Sequence, residues 1–191
     1  MPKLWDDTID AHRAQVRDAI LDAAAELAFA QGLRAVTMAQ IAERAGIGRA
    51  TLYKYFPDVE TILRTWHAQR IDAHIAELVR VRDGAGSPSA RLESVLTAYA
   101  GIAHQTRGHD RELVAFLHPD DRIMHAHKQL RELIRQLIVE GIDSGELRDD
   151  VDLDVLTAYC LNALAAAGEV DGAALSDLVA ITLAALRALP E

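Results

Sequence analysis

The feature that most constrains this chain is a pair of short helical patterns, joined by glycines, within residues 37–56. Thr37 with Gln40 three positions later predicts a capping box that opens the first helix. Gly46-Ile47-Gly48 then predicts a turn whose one apolar residue points back into the core, and Pro57 stops the second helix. Two short helices joined by a glycine turn form a helix-turn-helix, so the sequence predicts this motif.

The second helix of the motif combines an apolar side with a polar side. At 100° per residue, Leu52 and Phe56 share the side that we expect to be buried. The same projection leaves Tyr55 on the exposed side and puts Tyr53 at the edge of the buried stripe. The other exposed positions are Ala50, Thr51 and Lys54, with Arg49 at the N-terminal end.

The exposed residues of this helix suit a DNA duplex. Arg49 can pair with two acceptors of a guanine, and a methyl group at Ala50 or Thr51 can meet the methyl group of a thymine. Lys54 and the nearby hydroxyl groups suit phosphate oxygens, which fix the register of a complex without reading its sequence. The candidate DNA contacts are Arg49, Ala50, Thr51, Tyr53, Lys54 and Tyr55. An ordinary solvated helix carries similar residue types, so the neighbouring sequence matters.

The neighbouring sequence resembles a known family. The run ILDAAAELAFAQG from residue 20, then VTMAQIAERAGIGRATLYKYF and a Pro-Asp pair, is similar to the DNA-binding head of tetracycline-repressor (TetR) family transcriptional regulators of bacteria. The resemblance implies that Thr37, at the start of the first helix of the motif, contacts DNA together with the residues of the second. It also implies a homodimer that binds operator DNA and responds to a small molecule.

Three positions depart from the usual pattern of that family. Gly48 stands where serine is usual, which leaves the second helix with a weaker glycine cap. Ala50 stands where glycine is frequent. Val59 stands where a lysine often approaches a phosphate, so one expected contact with the DNA backbone is missing.

Helical periods extend over nearly the whole chain. Half of the 191 residues are apolar, and no segment alternates long enough to indicate strands. We predict an all-α fold of about nine helices, with a three-helix head over residues 1–57 and a helical-bundle body over residues 58–191. No run approaches the roughly 20 apolar residues that a membrane span needs. The acidic start MPKLWDDTID does not fit a signal peptide, and a single cysteine, Cys160, fits a cytoplasmic protein.

Charge is unevenly distributed along the chain. The net charge of -9 is unusual for a DNA-binding protein, for which a basic surface is expected. Within residues 31–56, however, four basic residues stand against a single acid, Glu43, whereas residues 66–191 hold 20 acidic and 12 basic side chains. Such a body repels DNA, so we expect binding to be concentrated at the head and to weaken steeply with salt.

Caps and breakers predict where the other helices begin and end. A first helix follows a loose arm of about eight residues and ends before Gly32, with Val16, Ile20, Ala23, Ala24 and Leu27 as its buried stripe. Asp58 caps a long fourth helix that runs to about Arg82. Further helices are predicted over residues 89–107, 112–117, 121–144, 152–167 and 173–189.

The last two predicted helices carry broad apolar faces that are rich in small residues. Packing within the body is one explanation, and self-pairing into a two-fold, four-helix interface is the other, which the family resemblance favours. The candidate interface residues are Leu156, Cys160, Ala163, Leu164, Leu178, Ile181 and Ala185. A two-fold dimer would hold two reading helices about 34 Å apart, in successive major grooves of a near-palindrome.

The middle of the chain carries residues that could line a cavity between helices. The candidate effector-binding residues are Trp66, Arg70, Tyr99, His104, Phe116 and Tyr159. Each of them could equally lie in the core or at the surface. The family resemblance implies that a ligand bound in the body acts through the fourth helix on the separation of the two heads.

Metal binding and catalysis are the weaker alternatives. His118, Asp121 and His125 are spaced three and four apart, but Pro119 interrupts the helix that would align them, so we predict no metal site. Hydrolase, nucleotide-binding and paired-cysteine motifs are absent from the sequence, and Cys160 lies in an apolar helix, where a thiol is usually a small hydrophobe. We therefore expect no cofactor and no enzyme. The sequence predicts a ligand-responsive homodimeric repressor, with a repressor that lacks an effector as the alternative.

Overall fold

The computed structural model describes residues 3–106 and 121–188, with side chains described over 10–106 and 124–188. Over these residues the protein is all-α, as predicted, and strand pairing is limited to one isolated bridge between Leu147 and Arg187. Eight α-helices are described, close to the nine predicted. They are α1 (Lys3–Gln31), α2 (Met38–Arg44), α3 (Arg49–Tyr55), α4 (Val59–Arg82), α5 (Pro88–Gln105), α6 (Asp121–Asp143), α7 (Leu153–Ala165) and α8 (Leu175–Ala184). The short helix predicted over residues 112–117 lies outside the described residues.

Side-chain caps fix the starts of α4, α5 and α7. The carboxylate of Asp58 accepts a hydrogen bond of 2.7 Å from the backbone N of Thr61, which confirms the predicted cap of α4. Asp152 caps α7 in the same way through the backbone N of Val155. Ser87, directly before Pro88, caps α5. Each cap satisfies an amide of a first helical turn that has no partner within the helix.

Two helix ends differ from the prediction. α1 begins at Lys3 instead of following a loose arm, because the start of the helix contains no glycine or proline. α8 ends at Ala184, before the predicted end at Leu189. There the chain leaves the helix to pair with the segment after α6, and the backbone N of Arg148 donates to the carbonyl oxygen of Leu186 over 2.9 Å.

The chain divides into two compact units, of which the first contains α1 to α3 and the part of α4 up to Arg70. The predicted stripe of α1 lies in its core, with Ile20 at 0% exposure. Ile62 and Leu63 of α4 complete the same core and are almost fully buried. Because α4 supplies these two residues, the division falls at Arg70 rather than at residue 57, where we had predicted the boundary.

The second unit contains the rest of α4 and the helices α5 to α8. α5 packs against α6, α7 and α8. Their apolar faces enclose one continuous core, whose fully buried members include Leu92, Leu96, Ile134, Leu137, Ile138 and Leu164. Among the described helices, none combines the length and the apolar character that a membrane crossing requires.

A carboxylate clamp ties two parts of the second unit together. Glu146, in the loop after α6, accepts hydrogen bonds from the hydroxyl of Ser87 (2.7 Å) and from the backbone N of Ser89 (3.2 Å). The hydrogen bond from Ser87 is the main reason why the pKa of Glu146 is lowered. The start of α5 is thereby held against the loop that leads to α7.

Candidate nucleic-acid interface

The first helix of the predicted motif opens with the capping box that the sequence predicts. The hydroxyl oxygen of Thr37 accepts from the backbone N of Gln40 over 3.3 Å, and the side-chain oxygen of Gln40 accepts from the backbone N of Thr37 over 2.9 Å. The Thr37 hydroxyl also donates to the side-chain oxygen of Gln40. Thr37 therefore has a structural role at the exposed N-terminus of α2.

The turn between α2 and α3 is a Schellman motif. Gly46 adopts a φ of 68°, a left-handed conformation that favours glycine, and its backbone N donates to the carbonyl oxygen of Glu43. The backbone N of Ile47 donates to the carbonyl oxygen of Ala42 over 2.9 Å, and the Ile47 side chain packs against the core of the first unit. This arrangement fixes the direction in which the chain enters α3.

α3 is anchored by its apolar side and exposes most of the residues that were singled out as DNA contacts. Leu52 is fully buried and Phe56, which caps the C-terminus of the helix, is 2% exposed. The exposed residues are Arg49, Ala50, Thr51, Tyr53 and Lys54. Gly48 caps the N-terminus with its carbonyl oxygen alone, which accepts from the backbone of Thr51 and Leu52.

The two tyrosines of α3 are placed the opposite way round from the prediction. Tyr53 is 57% exposed, whereas Tyr55 is half-buried and packs against the core of the first unit. Tyr55 follows Leu52 by three positions, and residues three apart share a helix face, so the core reaches it. Tyr53 is one residue from Leu52 and is therefore turned about 100° away from it.

The charges of this region are only partly neutralised within the protein. The guanidinium of Arg44 lies 2.8 Å from a carboxylate oxygen of Glu26. Arg49 and Lys54, in contrast, form no ion pair or hydrogen bond with any residue that the structure describes. α3 therefore presents two cations that remain available to an anionic partner.

The start of α4 lacks the cation that the family pattern places at residue 59, and it carries the anion of Asp58 directly before it. The hydrogen bond from the backbone of Thr61 lowers the pKa of Asp58, which therefore stays ionised at neutral pH. Val59 is half-buried against the core of the first unit. This position therefore offers an apolar contact rather than a charge.

Two surface residues were missed by the sequence analysis. The guanidinium carbon of Arg17, on α1, lies 5.1 Å from the centroid of the Phe56 ring. Only the fold brings these two residues together, so no sequence signal could have indicated the contact. Val155 is 57% exposed on α7, four positions before Tyr159, and this helical spacing could have identified it.

The candidate effector residues fall in different parts of the structure. In the first unit, the rings of Trp66 and Phe29 meet edge to face at 5.4 Å, and the guanidinium carbon of Arg70 lies 5.9 Å from the Trp66 ring. In the second unit, α5 carries Tyr99, whose pKa is raised by burial, and His104. Nδ1 of His104 lies 3.1 Å from the carbonyl oxygen of Ala167. Tyr159 is 39% exposed on α7, and Phe116 lies outside the described residues.

The candidate dimer residues divide into buried and exposed groups. Leu156, Cys160 and Leu164 are at most 4% exposed and belong to the core of the second unit, so they have no surface to offer to a partner. Ile181 is 65% exposed. Ala163, Leu178 and Ala185 are half-buried. The neighbouring Val155 and Tyr159 extend the exposed apolar surface of α7.

Cys160 has the surroundings of a structural thiol. Burial raises its pKa to about 12, so the thiolate that a nucleophile requires is not formed at neutral pH. The described residues contain no cluster of three potential metal-binding side chains. His118 and the side chain of Asp121, which belong to the metal hypothesis, lie outside the part of the chain that the structure describes.

Comparison with known proteins identifies the first unit. Residues 20–64 match the family of bacterial regulatory proteins described as the tetR family. An uncharacterised HTH-type transcriptional regulator of Mycobacterium tuberculosis is 30% identical over 130 residues, which cover 68% of this chain and 64% of that protein. The chain thus spans somewhat less than two thirds of the length of the first relatives that it matches. The HTH-type transcriptional repressor KstR2 of Mycolicibacterium smegmatis is 26% identical over 152 residues, which cover 76% of this chain and 74% of the repressor.

Solved structures extend the similarity to most of the chain. A transcriptional regulator of the TetR/AcrR family from Thermobifida fusca superposes with a TM-score of 0.74 at 25% identity, covering 87% of this chain and 96% of that one. The regulator FadR of Bacillus subtilis in complex with stearoyl-CoA has the same fold, with a TM-score of 0.64 at 17% identity over 92% of this chain and all of FadR. These relatives are transcriptional regulators rather than enzymes. Residues 20–64 therefore match the tetR family of bacterial regulatory proteins, and most of the chain shares the fold of a TetR/AcrR family regulator.

Proposed function

We propose that the protein is a homodimeric transcriptional repressor that binds a near-palindromic operator in double-stranded DNA and is released by a small molecule. The observation that carries the proposal is the surface of α3, a rigidly anchored helix whose two cations have no partner among the described residues. The tetR-family match of residues 20–64 supports DNA as the anionic partner. A DNA-binding protein of this kind acts where the chromosome is, so we expect it in the cytoplasm.

The residues of the motif would have different roles in DNA recognition, some contacting bases and others phosphates. Arg49, at the N-terminal end of α3, is placed to read a base edge, since the first residues of a recognition helix enter the major groove. Thr51 and Ala50 offer methyl groups to thymine. Lys54 and the hydroxyl of Tyr53 suit phosphates, while Thr37 and Tyr55 would contribute at the edges of the surface.

The dimer would form through the exposed apolar surface of α7 and α8. These two helices pack against each other, and together they expose Val155, Tyr159 and Ile181. Leu178, Ala163 and Ala185 are half-buried on the same two helices. A two-fold axis through this surface would use the same patch on both protomers, and it would repeat α3 in two successive major grooves.

The proposal of a small-molecule effector is supported by the relatives. FadR of Bacillus subtilis has the same fold and is solved with stearoyl-CoA. In this chain, Tyr99, His104, Phe116 and Tyr159 of the body, and Trp66 and Arg70 of α4, are the candidate contacts. An effector that favours one dimer geometry by about 1–3 kcal/mol would change operator occupancy 5- to 150-fold.

The operator itself provides the test. Selection of duplexes from a random pool by the wild-type protein should recover a near-palindrome with half-sites about 10 base pairs apart. Recovery of no common sequence would overturn the proposal. Acyl-CoA thioesters are suitable first probes for the effector, since FadR is solved with stearoyl-CoA and a true effector should release the selected duplex. If no compound in a broad panel does so, the alternative of a repressor without an effector is favoured.

A further inference from the structure

Arg17 places a positive charge at the C-terminal end of α3, although it belongs to α1 and lies outside the helix-turn-helix. Its guanidinium carbon is 5.1 Å from the centroid of the Phe56 ring, within the range of a cation–π contact. Phe56 is the residue that caps α3 and is 2% exposed. The position of Arg17 is therefore tied to the position of the candidate reading helix.

No carboxylate neutralises Arg17 within the described structure. It forms no ion pair with any described side chain, and the positions three and four residues away on α1 hold no acid. Arg13, one turn earlier, adds a like charge on the same face, which disfavours the helix slightly. Arg13 itself has Asp10 at 3.9 Å. Arg17 is thus an exposed cation, fixed by an aromatic ring and not paired with an acid.

The dimensions of α3 place this cation near the edge of the groove that the helix would read. Seven residues at 1.5 Å each make α3 about 10 Å long, and the major groove is about 12 Å wide. With the N-terminal end of α3 at the base edges, its C-terminal end lies close to the wall of the groove, where the phosphates are. We propose that Arg17 contacts a phosphate of the bound duplex at this wall. The inference rests on the proposed function of α3 as the reading helix.

A purely structural role for Arg17 makes a different prediction. The guanidinium covers the Phe56 ring, and a cation near a helix C-terminus is favourable for the helix dipole. Loss of these interactions would lower the stability of the first unit, but it would not change how strongly DNA binding depends on salt. Each phosphate contact, in contrast, makes the fall of log affinity with log salt concentration steeper by about 0.9.

The test is the salt dependence of operator binding, measured with the full chain and the selected duplex. Arg17→Gln should make this slope shallower by about 0.9. The fall in affinity between 50 and 200 mM salt should then be about threefold smaller than for the wild-type protein. The loss at low salt should be equal on selected and random duplexes, because a phosphate contact carries no sequence information. Arg17→Lys keeps the charge and should restore the slope. Arg13→Gln changes the net charge equally, one turn away, and should leave the slope at the wild-type value.

Two results would overturn the inference. If the wild-type protein binds the selected duplex and Arg17→Gln leaves the salt slope unchanged, Arg17 has a structural role only. That result would not affect the proposed function. An equal decrease for Arg13→Gln would mean that general charge, rather than a contact, sets the slope. If the wild-type protein binds no duplex, the proposed function fails, and the inference fails with it.

Discussion

Arg49 and Lys54 lie on the same short helix and carry the same charge, yet they should contribute to DNA binding in different ways. Arg49 is the first residue of α3 and Lys54 lies in its last turn. A recognition helix brings its first residues to the base edges, whereas its last turn lies nearer to the phosphates. At the residue scale, we therefore expect position along α3 to decide which charge reads sequence and which only contacts phosphate.

Two substitutions separate these roles. Arg49→Ala should relax the preference at one base position of the half-site by about 1–3 kcal/mol, because a bidentate pair with guanine is lost. Lys54→Gln should weaken the selected and random duplexes alike and lower the salt slope by about 0.9. Base-by-base substitution of the operator measures both effects. Equal losses on both kinds of duplex for both variants would contradict the division of roles.

At the element scale, local signals fix the starts of helices and turns. The cap of α4 gives a pH-dependent example, because the pKa of Asp58 is lowered by the hydrogen bond from Thr61. The stabilisation by Asp58 is complete above its ordinary pKa of 3.8 and is lost as pH falls through the lower pKa of the folded state. The cap therefore contributes throughout the neutral range.

Replacement of Asp58 tests this cap. Asp58→Ala should destabilise the protein by about 1 kcal/mol at pH 7, and the difference from wild type should shrink as pH falls below 3.8 and vanish below the folded pKa. Urea unfolding at pH 7 and at about pH 3 provides the measurement. Asp18→Ala is a suitable control, since Asp18 is exposed on α1 and caps no helix. The same loss at both pH values would exclude a charged cap.

Two glycines offer a matched test of backbone conformation. An added Cβ would meet no atom within 4 Å at either Gly46 or Gly101, so neither substitution is limited by space. Gly46→Ala should destabilise the protein by roughly 1–2 kcal/mol, because its φ of 68° is left-handed. Gly101→Ala lies within α5 and should stabilise it by about 0.5–1 kcal/mol. Chemical denaturation should therefore give opposite signs, and equal signs would contradict the assigned turn.

The elements also show what the sequence could and could not predict. The capping box at Thr37, the turn at Gly46 and the cap at Asp58 were predictable because each acts within a few residues. The end of α8 was not, because it depends on pairing with residues about 40 positions earlier in the chain. The candidate DNA surface was readable from one motif, except that Tyr55 turns towards the core.

The same limit applies to the apolar faces of α7 and α8. An apolar pattern shows that a residue is covered, but it does not show whether its own chain or a partner covers it. From the sequence alone, both explanations are possible for Leu156, Cys160 and Leu164. The structure places these three residues in the core of the second unit. Val155 and Ile181, in contrast, are exposed, so their side chains are available to a partner chain.

At the scale of the whole molecule, the proposal requires two copies of the chain. One seven-residue helix offers few contacts, and the net charge of -9 opposes DNA binding away from the head. A dimer joins two heads on one duplex, so the second contact forms at a high effective concentration. The proposed dimer would therefore supply affinity that a single head lacks.

Two exposed apolar residues provide a matched test of the dimer surface. Ile181 on α8 is 65% exposed and Met124 on α6 is 64% exposed. Ile181→Glu should dissociate the dimer, because it places two charges across the two-fold axis without a partner, and operator affinity should fall with it. Met124→Glu should leave the mass in solution unchanged. Sedimentation or light scattering measures both variants, and a monomeric wild-type protein would overturn the proposed interface.

The most direct test of the central claim is fluorescence anisotropy with the selected duplex and a scrambled duplex, at about 0.15 M salt. If α3 reads sequence as part of a homodimer, the wild-type protein should prefer the selected duplex by at least about 10³-fold, with two protomers bound per site. Arg49→Ala should reduce this preference. Equal affinity of the wild-type protein for both duplexes would contradict the account, because the free cations of α3 would then serve only non-specific attraction.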